Sequence, residues 1–239
     1  HDALPICWAS RSHTGKLQQS GGTERSFPYI LRFFWPLALI MAIQGLSRPL
    51  INLFVAREAG GAQALAVLTV VYALAHLPYG WLNEIRNLPT AFQDWEDSLH
   101  HIRRFALACG LISFAIMILL FWTPIREFIL RALIGVNAGL AAQATLPLVV
   151  FSFFPLVVML RAYLHGVGLF EHRTQVMAPS APSRVAAILV ALILLPVLGI
   201  HGATRGVAAL LCGFMVETLV VWWGIRGRTL IRKKGNELC

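Results

Sequence analysis

Phe105-Ala106-Leu107-Ala108-Cys109-Gly110-Leu111-Ile112-Ser113-Phe114-Ala115-Ile116-Met117-Ile118-Leu119-Leu120-Phe121-Trp122 carries no charged side chain, and Thr123-Pro124 closes it. As a helix rising 1.5 Å per residue, this stretch is about 27 Å long, close to the roughly 30 Å of a bilayer's hydrocarbon core. One such run could hide in a large soluble core. The rest of the chain repeats the pattern, and a single core cannot hide them all. The other expected spans are 33–55, 62–82, 140–163, 184–200 and 203–225. The segment 125–136 mixes charged and apolar residues and reads as a short helix lying in the interface.

Composition agrees. Of 239 residues, 57% are hydrophobic and 13% charged, and the mean hydropathy is +0.69. A soluble domain of this size needs more charge to cover its surface. The expected fold is therefore all-α, a polytopic membrane protein with six transmembrane helices forming one lobe at 29–226. Residues 1–28 read as a polar, flexible lead-in without a signal-peptide core, and 227–239 as a basic cytoplasmic tail. The chain begins with His1 rather than Met, which leads us to expect a fragment.

The net charge is +9, with a pI near 10.1. No aromatic–basic binding module accompanies it, so nucleic acid is not an expected partner. The basic residues sort by side instead. Arg11, Lys16, Arg25, Arg32, Arg86, Arg103, Arg104, Arg173, Arg184, Arg226, Arg228, Arg232, Lys233 and Lys234 fall on one side. Only Arg57, Arg126, Arg131 and Arg205 fall on the other. That asymmetry places both termini in the cytoplasm. Trp35, Trp81, Trp122, Trp222 and Trp223 lie near span ends, where interfacial tryptophans belong.

Catalytic chemistry is not in view. Cys7, Cys109, Cys212 and Cys239 form no CxxC pair, and Cys239 ends no prenylation box. His100-His101 stands near Asp94, Glu96 and Asp97 without ligand spacing, in what reads as a polar loop from Glu84 to Arg104. We expect no metal, no cofactor and no enzymatic activity.

Polar groups inside the spans are the informative residues, because a charge at membrane depth costs about 3 kcal/mol or more. Gln44, Arg48 and Asn52 are spaced by four and share one helix face beside Pro49, which removes a backbone donor and invites a kink. Arg48 could attract an anion with Gln44 and Asn52 donating hydrogen bonds; equally, it could pair with Glu217. His76 could contact an anion or relay a proton, or simply be satisfied by a neighbouring helix. Glu84 and Arg86 could gate the cytoplasmic entrance or form an ion pair. Arg161 and His165, four apart, could extend a positive path or meet lipid phosphates. Gly202, Gly206, Ala209 and Gly213 form a ridge of small residues that lets helices approach closely. Glu217 continues that ridge, so it faces protein or a cavity.

The residues also resemble a known family. Phe34-Trp35-Pro36-Leu37-Ala38-Leu39-Ile40, Ser47-Arg48-Pro49, Asn52-Leu53-Phe54-Val55 and Pro78-Tyr79-Gly80-Trp81-Leu82 with Glu84-Ile85-Arg86 resemble the progressive ankylosis protein family. So do Phe121-Trp122-Thr123-Pro124, Phe151-Ser152-Phe153-Phe154-Pro155 and His201-Gly202-Ala203-Thr204. The resemblance runs from about Phe33 to Thr218, covers only the family's second half, and finds nothing before about Ser26. Gly45 and Arg205 depart from it, standing where a basic and an apolar residue are expected.

The resemblance implies a lobe similar to those of the multidrug and polysaccharide flippase (MATE-like) superfamily, which pair two six-helix lobes. It further implies export of pyrophosphate, ATP or citrate-like anions, a brake on mineral deposition, and residence in the plasma membrane. The partners it implies are a small anionic substrate, membrane lipid, and a missing N-terminal lobe or a homodimer partner. A truncated, non-transporting subunit that pairs with a full-length relative is the alternative.

Overall fold

The computed structural model describes residues 27–92, 98–171 and 177–236. The lead-in at 1–26 and the acidic residues Asp94, Glu96 and Asp97 lie outside the described residues, as does Arg173. Two units partition the chain: His1–Trp35, of which the opening turns of a helix are described, and Pro36–Cys239, which holds everything discussed below.

Among the described residues there is helix and no strand. Helix α1 is Phe27–Ala56 and α2 is Gly61–Tyr79, continued by a 3-10 segment Gly80–Asn87 and the single turn α3, Leu88–Ala91. Then come α4 (Ser98–Trp122), the short α5 (Ile125–Phe128) with a π turn Ile129–Leu133, α6 (Ala138–Phe151) and α7 (Phe154–Phe170). Helix α8 (Ser180–Leu194) runs into a 3-10 turn Leu195–Leu198, and α9 (Gly202–Asn236) ends the described chain. Among the described residues, five stretches are long and apolar enough to cross a membrane: Gly61–Ala91, Ser98–Trp122, Ala138–Phe170, Ser180–Leu198 and Gly202–Arg226. The expected first span, 33–55, is helical throughout within the 30-residue α1.

Helix α4 shows why the solvent of this fold is lipid. Its packed stripe is Ile102, Ala106, Cys109, Gly110, Ser113, Met117 and Phe121. Its exposed stripe is Leu107, Leu111, Ile112, Ile116 and Leu119, equally apolar. A soluble helix turns charge outward opposite its buried face. An apolar outer face continued around a bundle is stable only against hydrocarbon. The exposed tryptophans Trp81, Trp122, Trp222 and Trp223 sit at or near span ends.

Several boundaries differ from the sequence reading; the fourth span, expected to end at 163, runs to Phe170. The expected polar loop Glu84–Arg104 is largely helical: the 3-10 segment carries Glu84 and Arg86, and α4 already starts at Ser98, placing His100, His101, Arg103 and Arg104 on a helix. The fifth span starts at Ser180, four residues early, because Pro182 is tolerated in a first turn. The expected tail at 227–239 continues α9 as helix to Asn236.

The fourth span breaks once, at Ser152-Phe153 between α6 and α7. Pro155 supplies no N–H for the Phe151 carbonyl, so the ladder closes on itself there: Ser152 N–H donates to the Leu148 and Val149 carbonyls, and Phe153 N–H to Val150. Helix α8 packs along α9, and α7 packs against the 3-10 segment, α4 and α9. At Gly166, a Cβ would stand 2.7 Å from the Arg86 carbonyl oxygen, so only glycine lets α7 lie this close to the 3-10 backbone.

Candidate functional site

The interior of the bundle is organised around Glu217 of α9, whose side chain is 0% exposed. Gln44 Nε2 donates to its Oε1 at 2.7 Å. Arg161 Nη1 and Arg184 Nη1 both approach the other oxygen, Oε2, at 3.3 and 3.2 Å. His165 Nε2 stands 3.7 Å from Oε1. A second Arg161 nitrogen, Nη2, donates to Asn83 Oδ1 at 2.7 Å. Both guanidinium carbons lie over the Phe214 ring, 4.6 Å away for Arg161 and 4.1 Å for Arg184. Four of the five apolar spans and α1 thus each contribute a residue.

Local sequence explains how they converge. Arg161 and His165 are one turn apart, so they share a face of α7. Arg184 lies on the buried stripe of α8 with Ala181, Ile188 and Ala191. Gly213, one turn before Glu217, gives α8 its approach. A Cβ there would meet Ile188 Cγ1 at 2.6 Å and Arg184 Cγ at 3.3 Å. The small-residue ridge read from sequence serves more than one neighbour: Gly213 makes this α8–α9 contact, whereas Gly206 lies against Ile51 of α1 and Leu68 of α2, and Gly206, Ala209 and Gly213 are all buried.

The charge count is uneven. Two guanidinium groups face one carboxylate, and a histidine adds a third basic group. Hydrogen bonding is also incomplete: Arg161 Nε, Arg184 Nε and His165 Nε2 are buried without a hydrogen-bond partner. Buried polar groups are ordinarily satisfied, and an orphan costs about 1–3 kcal/mol.

A second group lies on α1 and α2. Arg48 is exposed, with its guanidinium 5.1 Å from the centre of the Tyr72 ring. His76 is also exposed and meets Tyr79 edge-on at 5.3 Å. Arg48 does not pair with Glu217, which closes that alternative; Gln44, one turn away, takes the contact. An aromatic wall joins the two groups. Tyr72 meets Phe151 at 5.8 Å, Phe151 stacks on Phe154 at 4.1 Å, and Phe154 meets Phe214 at 5.5 Å.

Gln44, Arg161, His165 and Glu217 therefore converge, while Arg48 and His76 sit together across the wall. Asn52 is exposed on α1. Glu84 accepts from Asn87 Nδ2 at 2.7 Å, outside both groups. Arg86 is half-buried, with its carbonyl against Gly166. Arg161 and His165 face the interior and not lipid headgroups. Sequence reasoning missed Arg184, assigned to the cytoplasmic edge; it is 5% exposed. Its spacing with Ile188 and Ala191 would have placed it inward had the helix been started at Ser180. Asn83 and Phe214 were missed with no comparable signal. Among the described residues no group of histidine, cysteine and acidic side chains could hold a metal.

The far end of α9 holds another charged contact. Glu58, between α1 and α2, pairs with Arg205 and accepts the Gly202 N–H at 2.6 Å. Arg205 Nε donates to the Leu192 carbonyl at 2.8 Å, and Nη2 donates to the same oxygen.

These features define a multi-pass, all-helical membrane protein with a cationic interior. Residues 12–123 match the family described as Progressive ankylosis protein (ANKH), a family of membrane transporters. Over that stretch the resemblance read from the motifs is shown. It starts earlier than the motifs suggested, inside the lead-in thought to have no match, and stops before the Phe151–Pro155 and His201–Thr204 motifs. No solved structure matches the chain.

Proposed function

We propose that the chain forms a lobe of a membrane exporter of multivalent anions, with pyrophosphate, ATP or citrate as the substrates the family resemblance implies. Six membrane-crossing helices, α1 included, would make up this lobe, similar to one half of a MATE-like transporter. One observation carries the proposal: two arginines and a histidine gather around a single acid inside the membrane-spanning bundle. Charges there are expensive and mark ion or substrate pathways. A cationic surplus lowers the cost of stripping water from an anion.

Rocking against a second lobe would open the surplus to each side in turn. That lobe, or a second copy of this chain, would cover the exposed Arg48–Asn52–His76 face. With both termini cytoplasmic in a plasma membrane, an inside-negative potential would drive net negative charge outward, by about 2.3 kcal/mol per charge per 100 mV. Pyrophosphate efflux from proteoliposomes tests the reading. Arg48→Ala should slow efflux with insertion intact; unchanged efflux removes Arg48 from the path.

The same exposed face supports a second reading, in which the chain does not transport but pairs with a full-length relative. Crosslinking in membranes, combined with efflux from the chain alone, separates the two.

A further inference from the structure

Glu217 fits its own pocket poorly, and the misfit has a direction. Guanidinium–carboxylate pairs reach full strength when two parallel N–H groups meet two oxygens, with N···O near 2.7–2.9 Å. Here Arg161 and Arg184 each use one Nη on the same oxygen, at 3.3 and 3.2 Å. Neither fork is filled. Both Nε–H groups, with His165 Nε2, remain buried and unpartnered. The short contact is the uncharged one, from Gln44 at 2.7 Å. One carboxylate has too few oxygens for the donors aimed at it. A phosphate-type or polycarboxylate oxyanion has enough to fill both forks.

The Glu58–Arg205 pair at the other end of α9 shows what a settled contact looks like. There the three guanidinium nitrogens donate to the Glu58 carboxylate or the Leu192 carbonyl. Both Glu58 oxygens are used, one by Arg205 and the other by Gly202.

We infer that Arg161, Arg184 and His165 form an oxyanion subsite that Glu217 occupies as an internal stand-in, and that a substrate oxyanion enters by displacing the Glu217 carboxylate. This rests on the anion-export reading and adds to it a mechanism of entry. Without an anion, Glu217 neutralises one guanidinium and keeps the empty bundle from carrying the full surplus. With an anion bound, Gln44 holds the displaced carboxylate by its remaining hydrogen bond. Selectivity follows from the same geometry. Monovalent anions with few oxygens cannot fill two forks and so displace Glu217 poorly.

The test reads binding, not flux, so it is separable from the transport reading. The chain in nanodiscs is titrated calorimetrically with pyrophosphate and, separately, with citrate. Glu217→Gln removes the competing charge while keeping a partner for Gln44. It should tighten pyrophosphate binding roughly tenfold or more, and Arg184→Gln added to it should abolish the gain. Glu127→Gln, an exposed acid outside the cluster, should change affinity less than twofold. If Glu217→Gln does not insert, Glu217→Asp carries the test: the shorter acid keeps its charge but reaches the two guanidinium groups less well, so binding should tighten roughly twofold to fivefold.

Unchanged or weaker binding in the variant used overturns the inference, as does equal tightening by Glu127→Gln. Tightening in a chain that moves no anion would keep the subsite and reject the transport reading. Efflux without tightening would do the reverse.

Discussion

Helix α9 enters two acid–arginine contacts, through Arg205 and through Glu217, 12 residues and roughly 18 Å apart along it, and they are built oppositely. At the Gly202 end, Glu58 and Arg205 match one to one, and the helix start and the Leu192 carbonyl absorb the remaining polar atoms. At Glu217, basic groups outnumber the acid and three nitrogens have no hydrogen-bond partner. Both are largely buried, so depth does not separate them. Balance does. A satisfied pair gains little by rearranging, whereas an unsatisfied surplus is energetically open to a further anion. The first reads as a clasp between the α1–α2 connection and α9, the second as a place for a ligand.

The comparison can be broken from either side, and the largest effect should come from the clasp. Glu58→Ala leaves Arg205 buried without its anion and should cost about 3–5 kcal/mol, read as a lowered thermal midpoint in detergent. Efflux per folded molecule should stay near wild type. A loss of efflux at unchanged stability would move the clasp into the transport path.

Gly213→Val comes next. The added carbons meet Ile188 and the Arg184 stem, so overpacking should cost about 1–3 kcal/mol and push α8 away from Glu217. Efflux should fall with it, since Arg184 can no longer share the Glu217 oxygen. Arg184→Lys keeps the charge but loses the planar fork. Pyrophosphate efflux should drop several-fold while the thermal midpoint moves little. Asn83→Ala should be smallest, about 1 kcal/mol, because it removes one hydrogen bond from an Arg161 that keeps Glu217.

Much of this was legible in the residues. The charge-free run 105–122 and its repeats give spanning helices, since a helix satisfies its whole backbone within one segment, and the alternating pattern of a barrel strand is absent from this run. The ridge Gly206–Ala209–Gly213 gave the inward direction of Glu217 because helical spacing fixes a face. Gln44, Arg161 and His165 were named for the same reason. The partner of Glu217 was not readable. Periodicity says which way a side chain points along its own helix but not which helix stands opposite. Arg48 was the partner the sequence offered for Glu217, and Gln44, one turn away, takes the contact instead. Arg184 was lost to an error of four residues in one boundary, where Pro179 and Pro182 made the chain look like a turn. Asn83 fell between the expected second span, ending at 82, and the expected polar loop from Glu84; the 3-10 segment that carries it packs closely against α7, as the Gly166 contact shows.

The central claim is that the cationic surplus around Glu217 serves anion passage and not folding. Replacing Arg161, Arg184 and Glu217 together by glutamine removes charge of both signs while leaving neutral hydrogen-bonding groups, of equal length at Glu217 and shorter at the two arginines. Removing a whole buried ion cluster is often neutral or stabilising, so the triple variant should insert with a thermal midpoint at or above wild type. Pyrophosphate efflux from proteoliposomes should then fall at least tenfold. Efflux at the wild-type rate from a stably folded triple variant would contradict the account.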